Sequence, residues 1–159
     1  MQPLRIFISS PGDVLEERER AKDVVQSLRR RYARKFTLVP VVWEDLPLEP
    51  EMSFQQGIDL FLANPGVDVA VFILWSRLGS PLGASIRKAD GSAYRSGTER
   101  EYDLMIQARA QTRATEGTAR PRMIVYTRRD QSAFEARLRS KTTAQMEEMV
   151  SQKLTSCRW

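Results

Sequence analysis

The run Val67–Trp75, VDVAVFILW, is the most apolar stretch of the chain and limits its fold more than any other feature. Polar residues do not alternate with apolar ones in it, and Asn64-Pro65-Gly66 precedes it. A strand that is apolar on both sides must be covered on both faces, as in a parallel sheet packed between helices. The rest of the sequence supplies suitable partners. Leu4–Ser9 (LRIFIS) is a short β-branched and aromatic run that ends at the turn residues Ser10-Pro11-Gly12-Asp13. Phe36–Trp43 (FTLVPVVW) reads as a second strand, and Pro40 inside it places it at a sheet edge or at a bulge. Met123–Thr127 (MIVYT) is a fourth.

Helical segments separate these runs. Val14, Ala21, Val24, Val25 and Leu28 form one stripe. Ser53 opens a short helix through FQQGIDLFLA, Thr98 to Ala110 forms another, and the chain is helical again from Ser132 through FEARLRS and AQMEEMVSQKL. Residues 111–121 read as a polar linker. The alternation predicts an α/β fold: a flavodoxin-like parallel sheet with helices on both faces and 6–8 and 70–74 as adjacent central strands. A fifth strand of that order is not visible. One domain is expected over residues 1–139. The Met/Glu/Gln-rich segment 140–159 is expected to be a helical or loosely packed tail, leading to a further domain in a longer protein.

Composition narrows the chemistry. The chain has no histidine, which removes Ser-His-Asp and Cys-His catalysis and zinc sites with His ligands. Its one cysteine, Cys157, excludes disulfide scaffolds and multi-cysteine metal sites and fits a reducing, cytoplasmic setting. No metal site is expected. The net charge of +5 comes mostly from arginines interleaved with acids, as in EERERAKDVVQSLRRRYARK, which is the pattern of a solvated, salt-bridged face rather than a nucleic-acid surface. No apolar run approaches the roughly 18 residues of a membrane span.

In a parallel sheet, ligands bind beyond the carboxyl ends of the strands. The loops there are 9–13, 43–53, 75–97 and 127–131. No GxGxxG follows the first strand, and no GxxxxGK[ST] occurs. Asp13 followed by Glu16 fits a capped helix start, although main-chain N–H groups at Gly12 and Asp13 also suit a phosphate. In SGTEREY, Glu101 stands in line with Leu104, Met105 and Ala108, which sets a carboxylate on the apolar stripe of a helix. That makes it a candidate catalytic group. Thr98-x-x-Glu101 is equally a capping box. Trp43 and Trp75 end the second and third strands, fit either for core packing or for stacking on a base, and Arg77 is either solvated or a phosphate ligand.

The motifs IFISSPGDVLEERERAKDVV, VVWEDL, VDVAVFILWSRLGSPLG and SGTEREYDLMIQA together resemble Toll/interleukin-1 receptor-like (TIR-like) domains, over roughly residues 4–128. The branch in question stands at the N-termini of STAND/NACHT and NACHT–WD-repeat signalling proteins. The resemblance implies a flavodoxin-like fold in a cytosolic sensing or innate-immune defence setting, with self-association. It also implies cleavage of the N-glycosidic bond of NAD as substrate, with Glu101 as the catalytic glutamate and Glu99 as second choice. Ser9, Ser10, Gly12 and Asp13 would line the ribose and phosphate region with Arg77, Ser96 and Thr98, and Trp43 or Trp75 would stack on a ring. The usual Trp-Cys pair of such domains stands here as Gly97-Thr98, and the 44–53 loop is unusually proline-rich. Two other readings accompany this one. The first is a non-enzymatic self-association module acting through its helices and the 44–53 loop. The second is a nucleoside deoxyribosyltransferase-like enzyme, which the Gly97-Thr98-x-x-Glu101 spacing resembles.

Overall fold

Each apolar run becomes a strand of one all-parallel sheet. The structure, a computed structural model, describes residues 3–42, 66–83 and 86–156. Trp43, the 44–53 loop, the helix expected from Ser53, and Cys157 lie outside the described residues. Among the rest, β1 (Pro3–Ser9), β2 (Thr37–Val42), β3 (Val69–Leu74) and β4 (Arg122–Thr127) lie in the order β2-β1-β3-β4. This is a flavodoxin-like order with four of its strands. β1 and β3 are neighbours at the centre, with Ile6 against Val69 and Ser9 against Phe72. β2 is an edge strand, which accommodates the missing N–H of Pro40.

Among the described residues the helices are α1 (Leu15–Arg31), α2 (Gly97–Glu116), α3 (Gln131–Leu138) and α4 (Thr143–Ser156). The chain steps one way from β1 through α1 to β2, and the other way from β3 through α2 to β4. Right-handed crossovers in opposite directions put the two helices on opposite faces. Strand alternation then sorts the core. Ile6, Ile8, Ile73 and Trp75 pack with Val25 of α1 and Phe134 of α3. Phe7, Ala70 and Phe72 pack with Met105 of α2. On this second face Phe7 meets Phe72 edge-on at 6.5 Å, and Phe72 meets Tyr102 of α2 at 5.2 Å. Each fully buried phenylalanine of this stack contributes about 1.5–3 kcal/mol. Ser9 follows Phe7 by two residues and so faces α2.

Three sequence expectations change. The helix expected to end at Ala110 continues to Glu116 and stops at Gly117, in the left-handed conformation at φ +68°. The residues from 111 onward lack an apolar stripe, but Gln111, Arg113, Ala114 and Glu116 are good helix formers. The helix read onward from Ser132 is two helices, broken after Leu138 and restarted at Thr143. Asp13 does not cap α1: a single 3₁₀ turn, Gly12–Val14, leads into the helix, and neither start carries a side-chain cap. α3 and α4 pack on the α1 face, through Ala133, Leu138 and Met149. A right-handed crossover past β4 would run over the α2 face, so α3 is not the crossover to a fifth strand beside β4.

Candidate active site at the switch point

Strand order reverses between β1 and β3, and their carboxyl ends open the crevice in which α/β proteins bind ligands. Three segments meet there: Ser9–Val14 from β1, Trp75–Ser80 from β3, and the start of α2.

The start of α2 decides what Glu101 does. Ser96 is the N-cap, and its Oγ accepts the Glu99 N–H at 3.1 Å. The Glu99 carboxylate accepts the Arg95 N–H at 2.6 Å and the Lys88 ammonium at 2.7 Å. The capping pair is therefore Ser96 and Glu99, two residues ahead of the Thr98–Glu101 frame. Glu99, the second-choice catalytic residue, is committed to the cap and to the preceding loop. Its carboxylate raises the Lys88 pKa, chiefly through their hydrogen bond. Burial pushes the nearby Asp103 carboxyl up, with Lys88 opposing.

Glu101 reaches across to the sheet. It accepts a hydrogen bond from Ser9 Oγ at 2.5 Å, and both residues are buried. A carboxylate on a helix is thus held by a hydroxyl at the carboxyl end of the central strand. Next to it, Ser10 is also buried, and its Oγ has no hydrogen-bond partner among the described residues. Buried hydroxyls without partners are uncommon, because a missing bond costs about 1–3 kcal/mol.

Asp13 ties the β1 loop to the β3 loop. Its side chain is fully enclosed. It accepts both the Ser76 N–H, at 3.1 Å, and Ser76 Oγ, at 2.5 Å. Two guanidiniums flank it, Arg77 at 3.8 Å and Arg137 at 3.7 Å. Gly12 allows this closeness, because a Cβ there would stand 3.1 Å from Arg77 Nη2. Farther along the β3 loop, Gly79 adopts φ +111°, and a Cβ on it would meet Thr98 Oγ1 at 3.2 Å. The loop then returns to α2 through the Gly97 N–H to Ser80 C=O bond. Residues 76–83 and 86–97 are consequently tied to the sheet end as a strap. An antiparallel bridge between Arg87 and Ala93 shapes it, and Lys88–Glu99 pins it to α2.

The structure brings Ser9, Ser10, Gly12, Asp13, Arg77, Ser96, Thr98 and Glu101 to one end of the sheet. Asp13 and Ser96 are spent on structure there. Trp75 is not beside Glu101. It is buried in the α1-face cluster, its ring covered by Arg128 at 4.4 Å and Arg137 at 5.7 Å. Strand parity explains this, since Trp75 shares the face of Ile73 and not that of Phe72. Trp43 lies outside the described residues. Sequence reading missed Ser76 as an anchor, Arg137, and Gly79. Arg137 joins Asp13 across the fold and no local pattern marks it, whereas Gly79 in a Gly/Ser-rich loop was a visible signal.

Among the described residues there is no His/Cys/Asp/Glu cluster suited to a metal ion, and no helix is long and apolar enough to cross a membrane. No protein-family profile, curated protein or solved structure matches the chain.

Proposed function

We propose that the Ser9–Glu101 pair is the reacting centre of a TIR-like effector or signalling module that cleaves the N-glycosidic bond of NAD. The observation that carries this reading is a buried Glu101 carboxylate that accepts the Ser9 hydroxyl at the carboxyl end of β1, while Ser96 caps the helix. The C1′–N bond breaks, its electron pair leaves with nicotinamide, and positive charge develops on the ribosyl carbon and ring oxygen. Glu101 stabilises that charge or attacks the carbon, and water completes the hydrolysis. Ser9 Oγ orients the carboxylate. In this reading the Ser10 hydroxyl bonds a ribose hydroxyl and Arg77 meets a phosphate. The resemblance of its sequence motifs to TIR-like domains of STAND/NACHT proteins is what suggests a cytoplasmic defence setting.

A second reading is a non-enzymatic assembly module, favoured by β4 (Arg122–Thr127), which among the described residues pairs on one side only. Incubating the protein with NAD, both dilute and forced to cluster, and assaying free nicotinamide separates the two. Release supports the enzyme. No release in either state overturns it in favour of the assembly module.

A further inference from the structure

β4 pairs with β3 alone among the described residues. The Arg122 N–H goes to the Asp68 C=O and the Arg128 N–H to the Leu74 C=O. Backbone groups alternate sides along a strand, so Met123, Val125 and Thr127 turn their N–H and C=O groups outward. A concavity of about 530 Å³ lies against this end of the strand, lined by Val125, Thr127, Gln131 and Lys153 among others. On the α1 face, Ile124 is 39% exposed and Tyr126 59%. With Val24, Leu28 and Val71 they line an apolar groove of about 670 Å³. Sheet edges are ordinarily blunted by charges, prolines or bulges. β4 carries one charge, Arg122, and no proline.

We infer that β4 pairs antiparallel with β4 of a second copy of this chain, across a two-fold axis at Ile124. The strand is complementary to itself in this register. The outward groups of Met123 meet those of the second copy's Val125, and the reverse pair follows by symmetry. Ile124 faces its own copy. Arg122 stands opposite the second copy's Tyr126, a cation against a ring, and Arg120 and Arg128, which meet just beyond the strand, are each already held by carboxylates: Asp68 and Glu116 for Arg120, Glu17 and Asp130 for Arg128. The four-stranded sheets join into one, and the two apolar grooves become neighbours, which extends the buried surface beyond the strands. The inference does not depend on the enzymatic reading, and its readout is association rather than turnover.

Sedimentation velocity on the full chain, from micromolar to the highest attainable concentration, tests it. The wild-type protein dimerises. Ile124→Lys puts two ammonium groups at the axis, and Val125→Pro removes the central outward N–H. Each weakens dimerisation at least about tenfold. Ile124→Lys alters a partly exposed side chain and leaves melting nearly unchanged, so it remains informative if Val125→Pro fails to fold. A wild-type protein that stays monomeric overturns the inference, as does a dimer that survives Ile124→Lys. So does a Val125 amide that hydrogen exchange finds protected in dilute monomer, since another part of the chain, such as the exposed Val150 and Leu154 side of α4, would then cover the edge.

Discussion

Asp13→Ser separates two roles that the sequence leaves open at this position. Serine is as good an N-cap as aspartate, so if Asp13 capped a helix the substitution would cost almost nothing. The structure gives Asp13 another task, joining the β1 and β3 loops through two hydrogen bonds to the buried Ser76. The shorter serine side chain does not span that gap. Two hydrogen bonds to a charged group are worth about 3–6 kcal/mol in total. Arg137 already donates to Ser76 Oγ at 3.3 Å and keeps part of that hydroxyl satisfied, which favours the lower end. The flanking guanidiniums add little, because Arg77 and Arg137 are each more than a third exposed and regain water when Asp13 is lost. The expected loss is about 3 kcal/mol, and for a chain of this length about 6–12 °C in Tm. Urea and thermal unfolding of Asp13→Ser beside Asp13→Ala measure it. The reasoning is refuted if serine restores wild-type stability while alanine does not.

Three further outcomes follow from the same geometry. Ser96→Ala removes the N-cap of α2 and costs about 1 kcal/mol by urea unfolding, with local exchange rising at residues 97–99. Gly79→Ala places a side chain at φ +111° against Thr98 and destabilises by about 1–3 kcal/mol; a neutral result would mean that the strap does not hold this conformation. The Asp130 carboxyl, at the N-cap of α3, is held down to about 2, first by its hydrogen bond with Arg128 and then by the Ala133 N–H. A depressed carboxyl stabilises the fold above its unfolded pKa of about 3.9 and loses that contribution as pH falls through the folded value. The stability gap between wild type and Asp130→Asn is therefore full at neutral pH and closes between about pH 4 and pH 2; a gap that is constant with pH contradicts this.

The fold was largely legible because burial on both faces writes itself into a strand. The runs at 6–8 and 70–74 could only be central, and Pro40 could only sit at an edge or a bulge. Helix ends were harder to read. Capping motifs are short and overlap, and Ser96-x-x-Glu99 and Thr98-x-x-Glu101 both satisfy the pattern two residues apart. Which frame wins depends on where Ser9 and Lys88 lie in space. The end of α2 was marked by Gly117, but the polar composition before it obscured a helix that needs no apolar stripe in its last turns. The site was partly legible. Glu101, Ser9 and Ser10 come together because switch-point logic places strand ends and helix starts side by side. Arg137 was invisible, since its partner Asp13 lies far away along the chain. For Trp75 the sequence left core packing and ring stacking open, and a parity count points to the core: Ile73 and Trp75 share a face, and Glu101 serves the other.

In the proposed function Glu101 works on a substrate rather than on the fold. The most direct test is the rate of nicotinamide release from NAD by wild type and Glu101→Gln, with melting measured on the same samples. Glutamine keeps an acceptor for Ser9 Oγ and removes the charge. Release should fall about 100-fold or more while stability changes by less than about 1 kcal/mol. A Glu101→Gln protein that releases nicotinamide at the wild-type rate but melts far lower would show that Glu101 only holds the structure together.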